Sequence, residues 1–320
     1  MDALVFNEQL YIDTAYPRPT LRANEAIIRP HLLGICNTDI EITHGYKGFR
    51  GVLGHEFVGT VEAATDRAWI GRRVVGEINA YCADCATSCA LGGVEHCPKR
   101  TTLGIKGRDG AMAEAFALPI ACLHEVPASV PDTAAVFVEP LAAALEILQA
   151  VHIRPTDRVA VVGDGKLGAL IVQVVRLPGC SVTLIGRHPE RWALFQRQGI
   201  ACRHSSDLPP TGYDVVIDCT GQVGGLDTAR QLVRPRGRLV LKSTFHHNVT
   251  LNLSALVVDE IEVIGSRCGP FAPALRLLER GLVEVEPLIS AVYPLRDAVA
   301  AFAAARGQLK VMLQVSPDQK

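Results

Sequence analysis

Two side chains able to bind a metal stand nineteen residues apart early in the chain: Cys36, in Gly34-Ile35-Cys36-Asn37-Thr38-Asp39, and His55, in Gly54-His55-Glu56. A thiolate and an imidazole are borderline-soft ligands that suit zinc better than magnesium or calcium. A catalytic zinc takes three protein ligands and keeps one position open. Glu139, in Phe137-Val138-Glu139-Pro140-Leu141, is the candidate third ligand. Taken singly, Cys36 reads as a buried core cysteine and Gly-His-Glu as a surface triplet; their joint order carries the metal reading. A second set, Cys82, Cys85, Cys89 and Cys97, has the four-thiolate form of a structural zinc. Such a closed shell leaves no open position, so it holds a loop together and does no chemistry.

The third group is Gly163-Asp164-Gly165-Lys166-Leu167-Gly168. Arg158 to Val162 before it reads as a buried strand, and Ala169 to Arg176 after it as a helix. That context turns a weak Gly-x-Gly-x-x-Gly match into a dinucleotide-binding fingerprint. Gly163 makes the tight turn, Gly165 lets the backbone approach a pyrophosphate, and Gly168 packs helix on strand. The pyrophosphate then rests on the helix N-terminus, where unpaired N–H groups and the dipole favour anions. An NAD enzyme places an acid about twenty residues further on, to hold the ribose 2′-hydroxyl. Here Gly186 stands at that place, followed by Arg187-His188-Pro189-Glu190-Arg191. A guanidinium clamps a phosphate where a carboxylate would repel it, so Arg187, assisted by His188 and Arg191, favours NADP over NAD. The alternative is that these basic residues form a solvated helix start.

The elements that must position these groups differ between the two parts of the chain. Residues 1 to about 125 show short strands and turns with little helical period; Ala26 to Ile35 is an apolar run that delivers Cys36, and Gly54 to Val61 is a glycine-bounded strand. From about residue 141 the pattern changes: a helical run from Leu141 to Val151, then strands at 158–162, 181–185, 213–221, 237–242 and 261–266 alternating with helices. Alternation of this kind specifies a parallel doubly wound sheet.

These motifs, in this order, resemble the zinc-dependent medium-chain dehydrogenase/reductase superfamily, the alcohol and polyol dehydrogenases, from about residue 1 to the C-terminus. The resemblance implies an α/β protein: a GroES-like β-rich catalytic domain over 1–140, to which 270–320 return, and a Rossmann cofactor domain over 141–269. It implies that Cys36 and His55 bind catalytic zinc, that Glu56 beside them is an alternate ligand, and that Glu139-Pro140, where many alcohol dehydrogenases have a cysteine, goes with polyol-like substrates. It places Thr38 on a proton path from the substrate alcohol, Asp39 behind a metal ligand, and Thr220 and Ser243 along the cofactor. The family's lobe usually spaces its first three cysteines by two residues, whereas the second gap here holds three, Ala86-Thr87-Ser88. Alcohol dehydrogenases often continue the relay with a histidine five residues past the cysteine; here that residue is Glu41, with His44 three further on. The implied activity is hydride transfer between an alcohol or polyol (or the matching carbonyl compound) and a nicotinamide cofactor, in a homodimer or homotetramer. Two rivals share the fold: a zinc-free enone or quinone reductase, which would lack the ligand set, and a non-enzymatic nucleotide-binding protein, which would lack a ligand or Thr38.

Bulk properties narrow the field further. The 320 residues suffice for two domains with separate cores. Lys+Arg 32 against Asp+Glu 33 leaves no electrostatic footprint for nucleic acid or an anionic membrane. Neither a signal-peptide layout nor a spanning apolar run stands in the sequence, so the expectation is a soluble, cytoplasmic protein. Of the ten cysteines, four lie within residues 82–97, which metal binding explains better than disulfides in a reducing compartment.

Overall fold

The computed structural model describes residues 1–81, 93–208, 210–244 and 248–315. The chain divides into two units, Met1–Glu139 with Phe271–Lys320, and Pro140–Pro270.

In the first unit, β1 (Ala3–Asn7) lies between β2 (Gln9–Asp13) and the short β4 (Gly51–Val52). The longer sheet is centred on β3 (Glu25–Gly34), which pairs antiparallel with β5 (Glu56–Ala64); β5 pairs with β6 (Arg73–Gly76), and β6 with β11 (Leu123–Glu125). β10 (Phe116–Pro119) also pairs with β3. A small sheet joins β7 (Asn79–Ala80), β8 (Thr101–Leu103) and β9 (Gly107–Arg108). The two strands expected to bring Cys36 and His55 are therefore neighbours. Their register sets Gly34 against Glu56, so Cys36 follows the end of one strand as His55 precedes the start of the other. Glycine is required at 34 by space: a Cβ there would lie 2.1 Å from Glu56 Oε2.

The second unit holds a six-stranded sheet of β12 (Arg158–Val162), β13 (Ser181–Gly186), β14 (Ala201–His204), β15 (Tyr213–Asp218), β16 (Val233–Leu241) and β17 (Glu262–Gly265). Every pairing is parallel and the order is β14-β13-β12-β15-β16-β17, the doubly wound arrangement expected from the alternating pattern. β12 is buried from Val159 to Val162, as a strand covered on both faces must be. The helix Lys166–Val175 begins three residues earlier than its apolar run suggests, because Gly165 already serves as its N-cap.

The chain then returns to the first unit. β18 (Ile289–Pro294) pairs parallel with β19 (Lys310–Gln314), and β19 pairs antiparallel with β3, Met312 opposite Gly34. The end of β3 is thus flanked by β5 and by β19, which starts at Lys310.

Candidate functional site

Cys36 caps the helix Asn37–Ile42, whose first turn carries Thr38 and Asp39. Asp39 is fully buried, and its carboxylate ties together the segments that bear the two ligands. Oδ2 accepts the backbone N–H of Cys36 at 2.9 Å and Oδ1 that of Gly54 at 3.2 Å, with His55 Nδ1 3.2 Å from Oδ1. The His55 imidazole is also a hydrogen-bond partner of the Cys36 thiol. Burial alone would lower the His55 pKa, but the Asp39 charge and the Cys36 sulfur outweigh it and hold the imidazole well above its ordinary value. Thr38 is half-buried, and its hydroxyl has no partner among the described residues.

Behind this pair lies an ion pair that the sequence did not disclose. Lys310 Nζ lies 2.5 Å from Glu56 Oε2, and both residues are 2 % exposed or less. Burial pushes the ammonium down, yet the charges of Glu56, Cys36 and Glu139 hold it above its usual value. Its Nζ also stands 5.2 Å from the Phe137 ring centroid. One lysine therefore joins the electrostatics of Cys36, Glu56 and Glu139. The signal was available as a charge at the head of the otherwise apolar run Lys310-Val311-Met312-Leu313. Its partner, 254 residues away, was not.

Among the described residues, no three of His, Cys, Asp and Glu already stand together closely enough to hold a metal ion. Glu56 is drawn onto Lys310 instead. The donor chemistry nonetheless fits zinc. A thiol and a buried imidazole are paired, and Glu139 is near enough for its charge to act on Lys310. His55 Nδ1, though close to Asp39, lacks an aligned hydrogen bond. An imidazole that binds metal through one nitrogen donates the other N–H to such a carboxylate. Of the second cysteine set only Cys97 lies within the described residues, where it is fully buried; Cys82, Cys85 and Cys89 lie outside them. Of the relay positions, His44 is exposed and stands 3.2 Å from Arg306, and Glu41 is half-buried.

In the second unit, the glycine loop joins β12 to the helix Lys166–Val175. A Cβ at Gly168 would lie 1.9 Å from Gly163 O, whereas one at Gly165 would meet only open space. Gly165 is thus where a ligand can approach the backbone, next to the half-buried Lys166 and Leu167 at a helix start that no side chain caps. Asp164 turns the other way, and its carboxylate, 4 % exposed, reaches the end of β13. Oδ2 accepts from the backbone N–H groups of Arg187 (3.0 Å) and His188 (2.7 Å) and from Trp192 Nε1 (3.1 Å), and Oδ1 lies 2.9 Å from His188 Nδ1. A Cβ at Gly186 would lie 2.1 Å from Asp164 Oδ2, so the space an acidic side chain would leave by is already filled. Burial would raise the Asp164 pKa, but hydrogen bonds from His188 and Trp192 hold the carboxyl below its ordinary value. Arg187 is exposed with no side-chain partner among the described residues, and Arg191 is half-buried, 3.8 Å from Glu190. Thr220 Oγ1 donates to Asp218 at 2.8 Å, and Ser243 Oγ accepts from Gly221 N at 2.8 Å, so both brace the loop after β15.

Comparison with known proteins bears on both units. The sequence model of the alcohol dehydrogenase GroES-like domain matches residues 22–128, and that of the zinc-binding dehydrogenase matches residues 167–280. The chain is 28% identical to the D-arabitol-phosphate dehydrogenase of Enterococcus avium, over 98% of this chain and 96% of that one. It is 27% identical to the sorbitol dehydrogenase of Halalkalibacterium halodurans, over 94% of each. Among solved structures, an Escherichia coli CFT073 alcohol dehydrogenase complexed with NADH superposes with a TM-score of 0.90 at 25% identity, covering 98% of this chain and 99% of that one. A Sinorhizobium meliloti 1021 protein bound to NADP superposes with a TM-score of 0.88 at 27% identity, with the same coverage. No helix among the described residues is long and apolar enough to cross a membrane.

Proposed function

Because the chain belongs to the zinc-type medium-chain dehydrogenase/reductase superfamily, we propose that Cys36, His55 and Glu139 hold a catalytic zinc and that the glycine loop takes NADP in preference to NAD. The protein is an oxidoreductase that transfers hydride between an alcohol or polyol, or the matching carbonyl compound, and a nicotinamide cofactor. The observation that supports the zinc reading best is the Asp39 carboxylate, which accepts the backbone N–H groups of Cys36 and Gly54 and lies 3.2 Å from His55 Nδ1.

When bound, zinc supplies Lewis acidity at the substrate oxygen and the nicotinamide supplies the hydride acceptor. The chain's own residues prepare the rest. Asp39 orients the His55 ring and anchors the turn that presents Cys36. Lys310 holds Glu56 and offsets part of the negative charge gathered by Cys36, Glu56 and Glu139. The Thr38 hydroxyl both accepts and donates, so it takes the proton an alcohol must lose as its carbon is oxidised.

The cofactor preference is supported by Gly186, Asp164 and Arg187 together. The Asp164 carboxylate reaches the end of β13, and its Oδ2 is occupied by three donors. The exposed Arg187 guanidinium is left to meet a 2′-phosphate. Steady-state oxidation of a polyol panel with each cofactor, before and after chelator dialysis and again on restoring zinc, tests both parts. The expected result is zinc-restorable turnover that is faster at low NADP than at low NAD. Undiminished turnover after complete zinc removal would refute the metal part.

A further inference from the structure

The first unit carries a basic recess on the chain segment that leads to His55. A recess of about 530 Å³ opens between residues 47–50 and 105–109, with Lys47, Phe49, Arg50, Lys106 and Arg108 on its walls. Asp109 is the only carboxylate among the lining residues, and it is engaged: Oδ2 accepts from Tyr16 OH at 2.7 Å and Oδ1 from Val52 N at 3.1 Å. Arg108 pairs with Glu25 at 2.9 Å and donates to Ala117 O, so it is a fixed wall. The other cations are available. Lys47 and Lys106 are exposed with no ion pair among the described residues, and Arg50 donates to Asn7 Oδ1 at 3.4 Å and pairs with the exposed Glu8 at 3.2 Å, a kind of pair that contributes little.

Two further observations separate this recess from a scatter of surface lysines. Lys47 sits at φ 60°, ψ 0°, a left-handed conformation that disfavours any residue but glycine and that concentrates at functional sites. Its ammonium is poised 5.1 Å from the Tyr46 ring centroid. The recess is also built on the segment that positions the metal ligands. Gly110 N donates to Val52 O at 2.7 Å, Ala111 N to Gly54 O at 2.9 Å and Met112 N to Leu53 O at 2.9 Å, bracing the residues just before His55. The other wall follows the helix that begins after Cys36. Arg50 stands five positions before His55, so at most ~17 Å of extended chain joins the recess to the imidazole.

We propose that this recess is an anion-binding subsite that takes the terminal phosphate or carboxylate of a polyol substrate while a hydroxyl carbon of the same molecule lies at the Cys36–His55 pair. The inference rests on the alcohol- or polyol-oxidising reading above and adds the substrate's charge. Lysine and arginine side chains recognise phosphate and carboxylate through charge-assisted hydrogen bonds, whereas a neutral polyol gives them nothing to neutralise. With a formal net charge of -1 on the whole chain, the cations of the recess are not part of a general positive charge.

The test uses the full, zinc-loaded chain and three probes with one carbon skeleton: ribitol, ribitol 5-phosphate and ribonate. The expected result is a KM at least tenfold lower for one anionic probe than for ribitol, with inorganic phosphate competing against it. A lower KM for the phosphate identifies a phosphorylated polyol, and a lower KM for ribonate a sugar acid. In Arg50→Gln/Lys106→Gln that preference should fall at least tenfold, and the charge-retaining Arg50→Lys/Lys106→Arg should keep it. Equal KM values for all three probes, or a preference untouched by the double glutamine variant, would overturn the subsite. Isothermal titration of the same probes reads binding apart from turnover. If no alcohol is oxidised at all the dehydrogenase reading fails, while titration of the parent and the double variant still decides the subsite.

Discussion

Asp39 in the first unit and Asp164 in the second do the same kind of work in different surroundings. Each is a buried carboxylate that gathers backbone N–H groups from the segment carrying functional side chains. Asp39 sits next to His55 in a unit that also buries the Lys310–Glu56 pair. Asp164 faces donors that are neutral or half-exposed, the Trp192 indole, the His188 ring and two amides. The difference teaches where each unit stores its risk. In the first, one lost charge strands another in a desolvated site; in the second, one lost carboxylate loosens a turn.

The largest expected effect follows from the desolvated pair. Lys310→Met leaves Glu56 buried and unpaired and should destabilise the first unit by roughly 3–5 kcal/mol, measured by urea denaturation. Adding Glu56→Gln should recover much of that loss, because no unpaired charge remains. Equal destabilisation in the single and double variants would show that packing, and not charge, sets the value of Lys310. Next, Asp39→Asn should weaken zinc retention 10–100-fold in a chelator competition, the usual cost of removing the carboxylate behind a metal-bound histidine.

Asp164→Asn is expected to cost less, about 2 kcal/mol in thermal unfolding, since one charged acceptor is replaced by a neutral one. Its sign with pH is fixed by the lowered Asp164 pKa. The stabilisation is present above the unfolded carboxyl value of about 3.9 and is lost as pH falls through the lower folded value. The gap in melting temperature between parent and variant should therefore be present at neutral pH and shrink as pH falls below about 4. The smallest effect is Arg187→Gln, expected to weaken adenosine 2′,5′-bisphosphate binding about tenfold relative to 5′-AMP in titration calorimetry, near 1.4 kcal/mol.

Much of this was legible in the sequence because it is local. The run Arg158 to Val162 followed by the glycine loop specified strand, turn and helix within twenty residues; β12 is where it put it, and the helix Lys166–Val175 starts three residues earlier than read. The order of Cys36, His55 and Glu139 named the candidate ligands. What stayed hidden depends on register between distant segments. Lys310 meets Glu56 only because β19 and β5 flank the same end of β3. Asp164 occupies a variable position of the glycine motif, where no periodicity marks a side chain that turns towards β13. The charged recess needed the pairing that brings residues 105–109 beside 47–50.

Zinc content per chain, measured for the parent, Cys36→Ser and Cys85→Ser, tests the central claim most directly. The account predicts two zinc ions in the parent and the loss of one in each variant, with polyol oxidation abolished in Cys36→Ser. A parent whose zinc is lost only in Cys85→Ser would contradict it, leaving Cys36 and His55 without a metal to hold.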